Sequence, residues 1–188
     1  MYGTFSVAGT TGFPDNSHRK SYITFPAGTT SVGLRYSISF ISPEQAKKNF
    51  DEEIRGKSFD EVKQHAEAAW SGAMGRIRVE GGTEAQRRSF YTALYRCHER
   101  MVDITEDGRY YSGYDHKVEI DSRPFYVDDW SWDTYLALHP LREILHPAQE
   151  EDMLQSYVRM YQQSGWMPTF PVLFGDYACM KEIGRAHV

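Results

Sequence analysis

Alternation of apolar and polar residues marks the first segment of the chain. From Ser31 to Ser42, Val32, Leu34, Tyr36, Ile38 and Phe40 occupy every second position. That period of two predicts an antiparallel strand with one face on a core. Turn-forming stretches at Gly9 to Gly12 and Pro26 to Thr30 make residues 1–42 an all-β segment. The period then lengthens. Ser42-Pro43-Glu44-Gln45 predicts a helix start, with Ser42 as N-cap and Pro43 at the first helical position, and Ala46, Phe50 and Ile54 continue one face until Gly56. Ser58 with Glu61 opens a second helix whose stripe is Phe59, Val62, Ala66, Ala69, Trp70 and Ala73. A short strand over Arg76 to Val79 follows, and Thr83 with Gln86 then caps a helix through Phe90, Leu94 and Cys97.

Asp107-Gly108, between Val102-Ile104 and Tyr110-Tyr111, predicts a hairpin turn. A helix is expected from near Trp132 through Tyr135, Leu138 and Leu141 to Leu145, where His146-Pro147 breaks it. The next runs to Gly165 with Met153, Leu154, Tyr157, Val158 and Tyr161 inward, so the pair reads as an αα-hairpin. The fold class is therefore α+β and multidomain, the two domains meeting near residues 56–82.

Composition narrows the function classes. The chain has 188 residues and a formal charge of −5 with both signs interspersed, which leaves no basic footprint for nucleic acid. It contains no apolar run long enough to span a membrane. Cys97 and Cys179 make no metal or redox spacing and read as buried thiols. Thirteen Tyr, ten Phe and four Trp exceed what a core of this size requires. Because Trp and Tyr stack on sugar rings while keeping a polar handle, that excess points toward carbohydrate.

Several clusters favour plain structural readings. Glu150-Glu151-Asp152 lies in a helix first turn, where the dipole favours acid. Asp128-Asp129 reads as a capping group, and neither run has the alternating ligands and Gly of a calcium loop. His139, beside Pro140 and between apolar positions, reads as a satisfied packed histidine. From spacing alone, Trp132 is core and Asp133 caps its helix. Residues Ile183 to Val188 match a translated frame of a common sequencing adapter. Residues 182–188 are accordingly expected to be read-through, with His187 set aside as a ligand, and both ends are expected to be truncations.

From about Ser31 to Met180 the order of motifs resembles glycoside hydrolase family 92. The runs are Ile38-Ser39-Phe40-Ile41-Ser42, Val79-Glu80-Gly81-Gly82-Thr83 and Phe90-Tyr91-Thr92-Ala93-Leu94-Tyr95. They continue with Asp107-Gly108-Arg109-Tyr110, Trp132-Asp133-Thr134-Tyr135, Leu138-His139-Pro140-Leu141 and Gly165-Trp166-Met167-Pro168. The resemblance implies the C-terminal part of a β-sandwich over residues 1–56 and a linker helix and short strand over 57–82. Residues 83–181 would then begin a six-hairpin (α/α) barrel.

It further implies an exo-acting, inverting, calcium-dependent α-mannosidase acting on α-mannoside glycans such as N-glycans or mannans, in a secreted or periplasmic setting. The catalytic acid and base and most of the calcium shell are expected downstream, so no metal ligand or catalytic residue is assigned here, and the chain alone is expected to be inactive. Trp132 and Asp133, with Trp166, are implied as contacts to the terminal mannose. Leu136 stands where the family commonly has Arg, and Cys179-Met180 lacks the preceding Thr-Asn. A non-catalytic sugar-binding relative, or another (α/α) barrel glycosidase or phosphorylase, is the alternative.

Overall fold

A computed structural model describes residues 1–15 and 20–177. Cys179, Met180 and the expected read-through at 182–188 lie outside the described residues. The chain divides into two compact units, Met1–Phe59 and Asp60–Val188.

In the first unit, strands β1 (Tyr2–Phe5) and β4 (Leu34–Ser37) pair antiparallel, with Tyr2 opposite Ser37 and Phe5 opposite Leu34. Between them β2 (Thr10–Gly12) and β3 (Tyr22–Thr24) form a separate antiparallel pair. Helix α1 (Pro43–Glu53) begins as expected, the Ser42 hydroxyl accepting from the Gln45 amide at 3.1 Å. The strand differs from its expectation, being shorter and burying the opposite face. Ser37 is buried, its hydroxyl donating to the Ala46 carbonyl, whereas Leu34, Tyr36 and Ile38 are about half exposed. The pleat explains this. α1 folds over the side bearing Tyr2 and Ser37, where Phe50 meets the Tyr2 ring edge-on at 5.2 Å, so the apolar alternates face away from it.

In the second unit, α2 (Phe59–Met74) has no buried residue, so its apolar stripe is uncovered apart from contacts such as Trp70 on Tyr95, with ring centroids 4.6 Å apart. The strand expected over 76–79 is absent as a strand. Tyr91 substitutes for a pairing partner: its hydroxyl accepts from the Val79 amide at 3.1 Å and donates to the Ile77 carbonyl at 3.3 Å. Tyr91 stands on α3 (Glu84–Arg96), which carries the expected capping box of Thr83 and Gln86.

The Asp107-Gly108 turn forms, both residues at positive φ, with Glu106 and Arg109 bridged across it. Its flanks pair elsewhere. β5 (Val102–Asp103) joins β8 (Tyr126–Val127), and β6 (Arg109–Tyr111) joins β7 (Val118–Ile120). Stacking of Tyr110 on the fully buried Phe125, centroids 3.9 Å apart, ties the two ribbons together.

The helix expected over 132–145 is two elements, α4 (Ser131–Thr134) and α5 (Leu138–Leu145). Pro140 is the reason. A continuous helix would need its missing N–H for the Leu136 carbonyl, whereas in the first turn of a fresh helix that N–H has no partner to lose. α6 (Pro147–Ser164) returns against α5 and ends at Gly165 in a left-handed C-cap with φ of 80°. Met153 and Tyr157 join Met101 and Tyr126 in the core, but Leu154, Val158 and Tyr161, expected inward, are exposed. The short pair β9 (Pro171–Val172) and β10 (Gly175–Asp176) closes the described chain.

Candidate functional site

The single turn α4 is held from beneath and open above. Ser131 and Thr134 are buried while Trp132 and Asp133 are exposed, Trp132 by 53%. Beneath it lies Asp129, fully buried, one oxygen of which accepts three hydrogen bonds. These come from Thr134 Oγ1 at 3.2 Å, from His139 Nε2 at 2.9 Å, and from the Tyr157 hydroxyl. The same Tyr157 oxygen lies 3.1 Å from Ser131 Oγ. Both buried residues of the turn are thereby tied to one carboxylate and one phenol.

His139 extends the network. Its Nδ1 meets Glu150 Oε1 at 2.6 Å, and Glu150 is almost fully buried at the start of α6. Burial alone would lower the His139 pKa, but two flanking carboxylates outweigh it and raise the value to about 9. The ring is thus an imidazolium at neutral pH. Burial likewise pushes the Asp129 carboxyl up, yet bonds from His139 and Tyr157 prevail and hold it below the usual carboxylate range. Arg142, buried on α5, donates to the Cys97 carbonyl, and its desolvation lowers its pKa. Two cations and two anions therefore share one buried cluster, the condition under which buried charge is tolerated.

A second support lies beside α4. The Arg100 guanidinium sits 3.8 Å from the Trp130 ring centroid and pairs with Asp128 at 2.9 Å. Trp130 in turn stacks on Phe170, and the Asp129 amide donates to the Pro171 carbonyl at 3.0 Å.

Trp166 stands on a different segment, just past Gly165. Neighbouring Met167 packs on the core and Pro168 is fully buried, whereas Trp166 is 62% exposed. Ser164 Oγ accepts from the Trp166 amide at 3.1 Å and fixes the bend. Trp132 and Asp133 are thus neighbours on one turn, and Trp166 is presented by the loop after α6.

The profile of the glycosyl hydrolase family 92 catalytic domain matches residues 45–184. The chain belongs to glycosyl hydrolase family 92. Among solved structures it is similar to the inverting family 92 mannosidase BT2199 of Bacteroides thetaiotaomicron, with a TM-score of 0.79 and 33% identity over 95% of this chain and 26% of that one. It is also similar to the family 92 glycosyl hydrolase ccman5, at a TM-score of 0.62 and 27% identity over 70% of this chain and 17% of that one. A curated relative, an uncharacterized secreted glycosidase of Arthroderma benhamiae, is 37% identical over 92 residues, which is 45% of this chain and 12% of the relative. This family 92 chain therefore spans about a quarter of the first matched structure.

Two readings of the α4 turn change here. Trp132 is not core, and Asp133 is not the α4 N-cap, a position held by Trp130. His139 is satisfied and packed and Glu150 stands in the first turn of α6, both as expected, although Glu150 is almost fully buried there, and Asp129 is an interior charge rather than a cap. The signal for that cluster is weak, because its members come from three segments separated by the break between α4 and α5 and by the turn at His146.

Proposed function

We propose that this chain contributes the terminal-mannose contact turn to an exo-acting, inverting α-mannosidase that hydrolyses α-mannoside glycans. Residues 1–56 are read as the end of an N-terminal β-sandwich, 57–82 as the linker, and 83–181 as the first hairpins of an (α/α) barrel. The observation that carries the reading is the exposed Trp132-Asp133 pair on a turn anchored by buried charge. An indole face packs on the C–H groups of a pyranose ring, and a carboxylate accepts from two sugar hydroxyls. Trp166 adds a second aromatic surface. Binding sites of this kind gain from rigid support, because less ordering is lost when the ligand arrives.

Inversion needs a carboxylic acid for the leaving oxygen and a carboxylate base for water. We assign neither to a residue of this chain. Asp129 and Glu150 are each bonded to the His139 imidazolium and enclosed, so they are structural, and hydrolysis by this chain alone is not expected. Calcium is the family's expected cofactor. Among the described residues no three His, Cys, Asp or Glu side chains are grouped to hold a metal, and no calcium ligand is assigned to this chain. The fungal relative's description as secreted supports an exported setting.

The test uses a protein that carries this chain at the length of its relatives. An aryl α-mannoside is hydrolysed with and without a calcium chelator, and the first-formed anomer is read by NMR. The reading expects β-mannose and loss of turnover on chelation. Phosphate-dependent cleavage, or sugar binding without turnover, would replace it with a phosphorylase or a non-catalytic binder.

A further inference from the structure

The fully buried Asp129 lies directly under the sugar-contact turn and is linked through His139 to the buried Glu150, an arrangement that a purely packed core would not need. Asp129, Glu150 and Arg142 are each at least nine-tenths buried, and each keeps one polar atom without a partner: Asp129 Oδ1, Glu150 Oε2 and Arg142 Nη1. His139 is the side chain that joins the two carboxylates, one from the segment before α4 and one from α6. The turn is reached through Asp129, whose same oxygen accepts from Thr134 on α4 and from Tyr157, itself in contact with Ser131.

We propose that His139 is a positioning residue for the sugar-contact turn: clamped between Asp129 and Glu150, it fixes the orientation of α4 and so the aim of Trp132 and Asp133. The inference rests on reading that turn as the sugar contact. The titratable groups facing His139 are Asp129 from the preceding segment and Glu150 and Tyr157 from α6, and Arg142, on the His139 helix, interacts with the same two carboxylates. While the ring carries its proton, it donates from both nitrogens and neutralises both carboxylates. When it loses that proton, one of the two short bonds loses its hydrogen, and two enclosed carboxylates face each other across a neutral ring with only Arg142 to offset them. Where Asp129 loses the His139 hydrogen, only the bonds from Thr134 and Tyr157 still hold it, and α4, tied to both, shifts with it. The turn is therefore set at neutral pH and released at alkaline pH.

The experiment labels the tryptophan indole nitrogens and histidine rings of this chain and follows both by NMR across pH. Trp132 is assigned with Trp132→Phe. The expected result is that the Trp132 indole resonance moves with the midpoint of the His139 ring, well above that of an ordinary histidine, while Trp70 on α2 stays still. In His139→Gln, Trp132 should already sit at its alkaline position at neutral pH and should not move through that window. Tyr157→Phe, a milder change, should displace Trp132 in the same direction. A Trp132 resonance that ignores the His139 titration in the unaltered chain overturns the proposal, and that result stands even if the variants fail to fold.

Methyl α-mannoside, added on either side of the midpoint to a protein carrying this chain at the length of its relatives, separates this claim from the reading beneath it. Binding weakened severalfold on the alkaline side supports both. Binding equally strong on both sides overturns the positioning role. Absence of binding at either pH counts against the sugar reading, and the Trp132 shift still decides whether His139 sets the turn.

Discussion

Raising the pH should remove a defined part of this protein's stability, and His139 fixes both the window and the sign. Its pKa rises from 6.5 to about 9 on folding because it gains two buried carboxylate partners. At about 1.36 kcal/mol per pKa unit, that rise corresponds to roughly 3 kcal/mol favouring the folded state when the ring is protonated. A group whose folded pKa is raised contributes fully below its unfolded value, and the contribution is lost as pH climbs through the folded value. Stability should therefore fall steadily between about pH 6.5 and about pH 9 and level off beyond those limits. The assay is urea unfolding followed by far-UV circular dichroism at a series of pH values, for the unaltered chain and for His139→Gln. The neutral amide keeps shape and one hydrogen bond but carries no charge. The variant should be less stable by roughly 3 kcal/mol near pH 6 and nearly equal near pH 10. Lysine and tyrosine ionisations are common to both proteins and cancel in the difference. Two curves that stay parallel across the whole range would refute the reasoning, since His139 would then contribute nothing that depends on its proton.

Three further outcomes follow from individual contacts. Gly113→Ala would place a Cβ 2.3 Å from the Phe174 carbonyl carbon, so the turn joining β9 to β10 must move; a loss of about 1–3 kcal/mol is expected from overpacking, measured by thermal unfolding. Tyr91→Phe removes the hydroxyl that serves Ile77 and Val79, leaving a backbone amide unpaired at a cost of about 1–3 kcal/mol, and faster proteolysis within residues 76–79 would report it. Trp132→Ala and Asp133→Ala alter exposed side chains, so each should change unfolding free energy by no more than about 0.5 kcal/mol while abolishing mannoside binding; a large stability loss would show that the pair is structural.

Local structure is legible in the sequence where it depends on neighbours along the chain. Ser42 with Pro43, the Thr83 and Gln86 capping box, the Asp107-Gly108 turn and the Gly165 cap all formed, because each is satisfied within a few residues. Long-range pairing was not legible. Nothing near Asp107-Gly108 says that β5 pairs with β8 and β6 with β7. The side of β4 that α1 covers is not legible either, since alternation shows that two faces differ but not which one a helix will cover. The break before α5 is legible from Pro140, although the apolar spacing around it suggests one continuous helix. Of the candidate site, Trp132, Asp133 and Trp166 came from motif order. Their exposure, and the Asp129–His139–Glu150 support, required the three-dimensional arrangement, because carboxylates that look solvated in sequence can be buried once a cation from another helix reaches them.

The central claim is that the α4 turn of this family 92 chain holds the terminal mannose. The most direct test is kcat/KM for an α-mannoside, measured in a protein carrying this chain at the length of its relatives, with and without Asp133→Ala. The account predicts a fall of about a hundredfold or more, as expected when a carboxylate bonded to substrate hydroxyls through the transition state is removed, with the unfolding transition unchanged. Wild-type kinetics from the Asp133→Ala protein would contradict it.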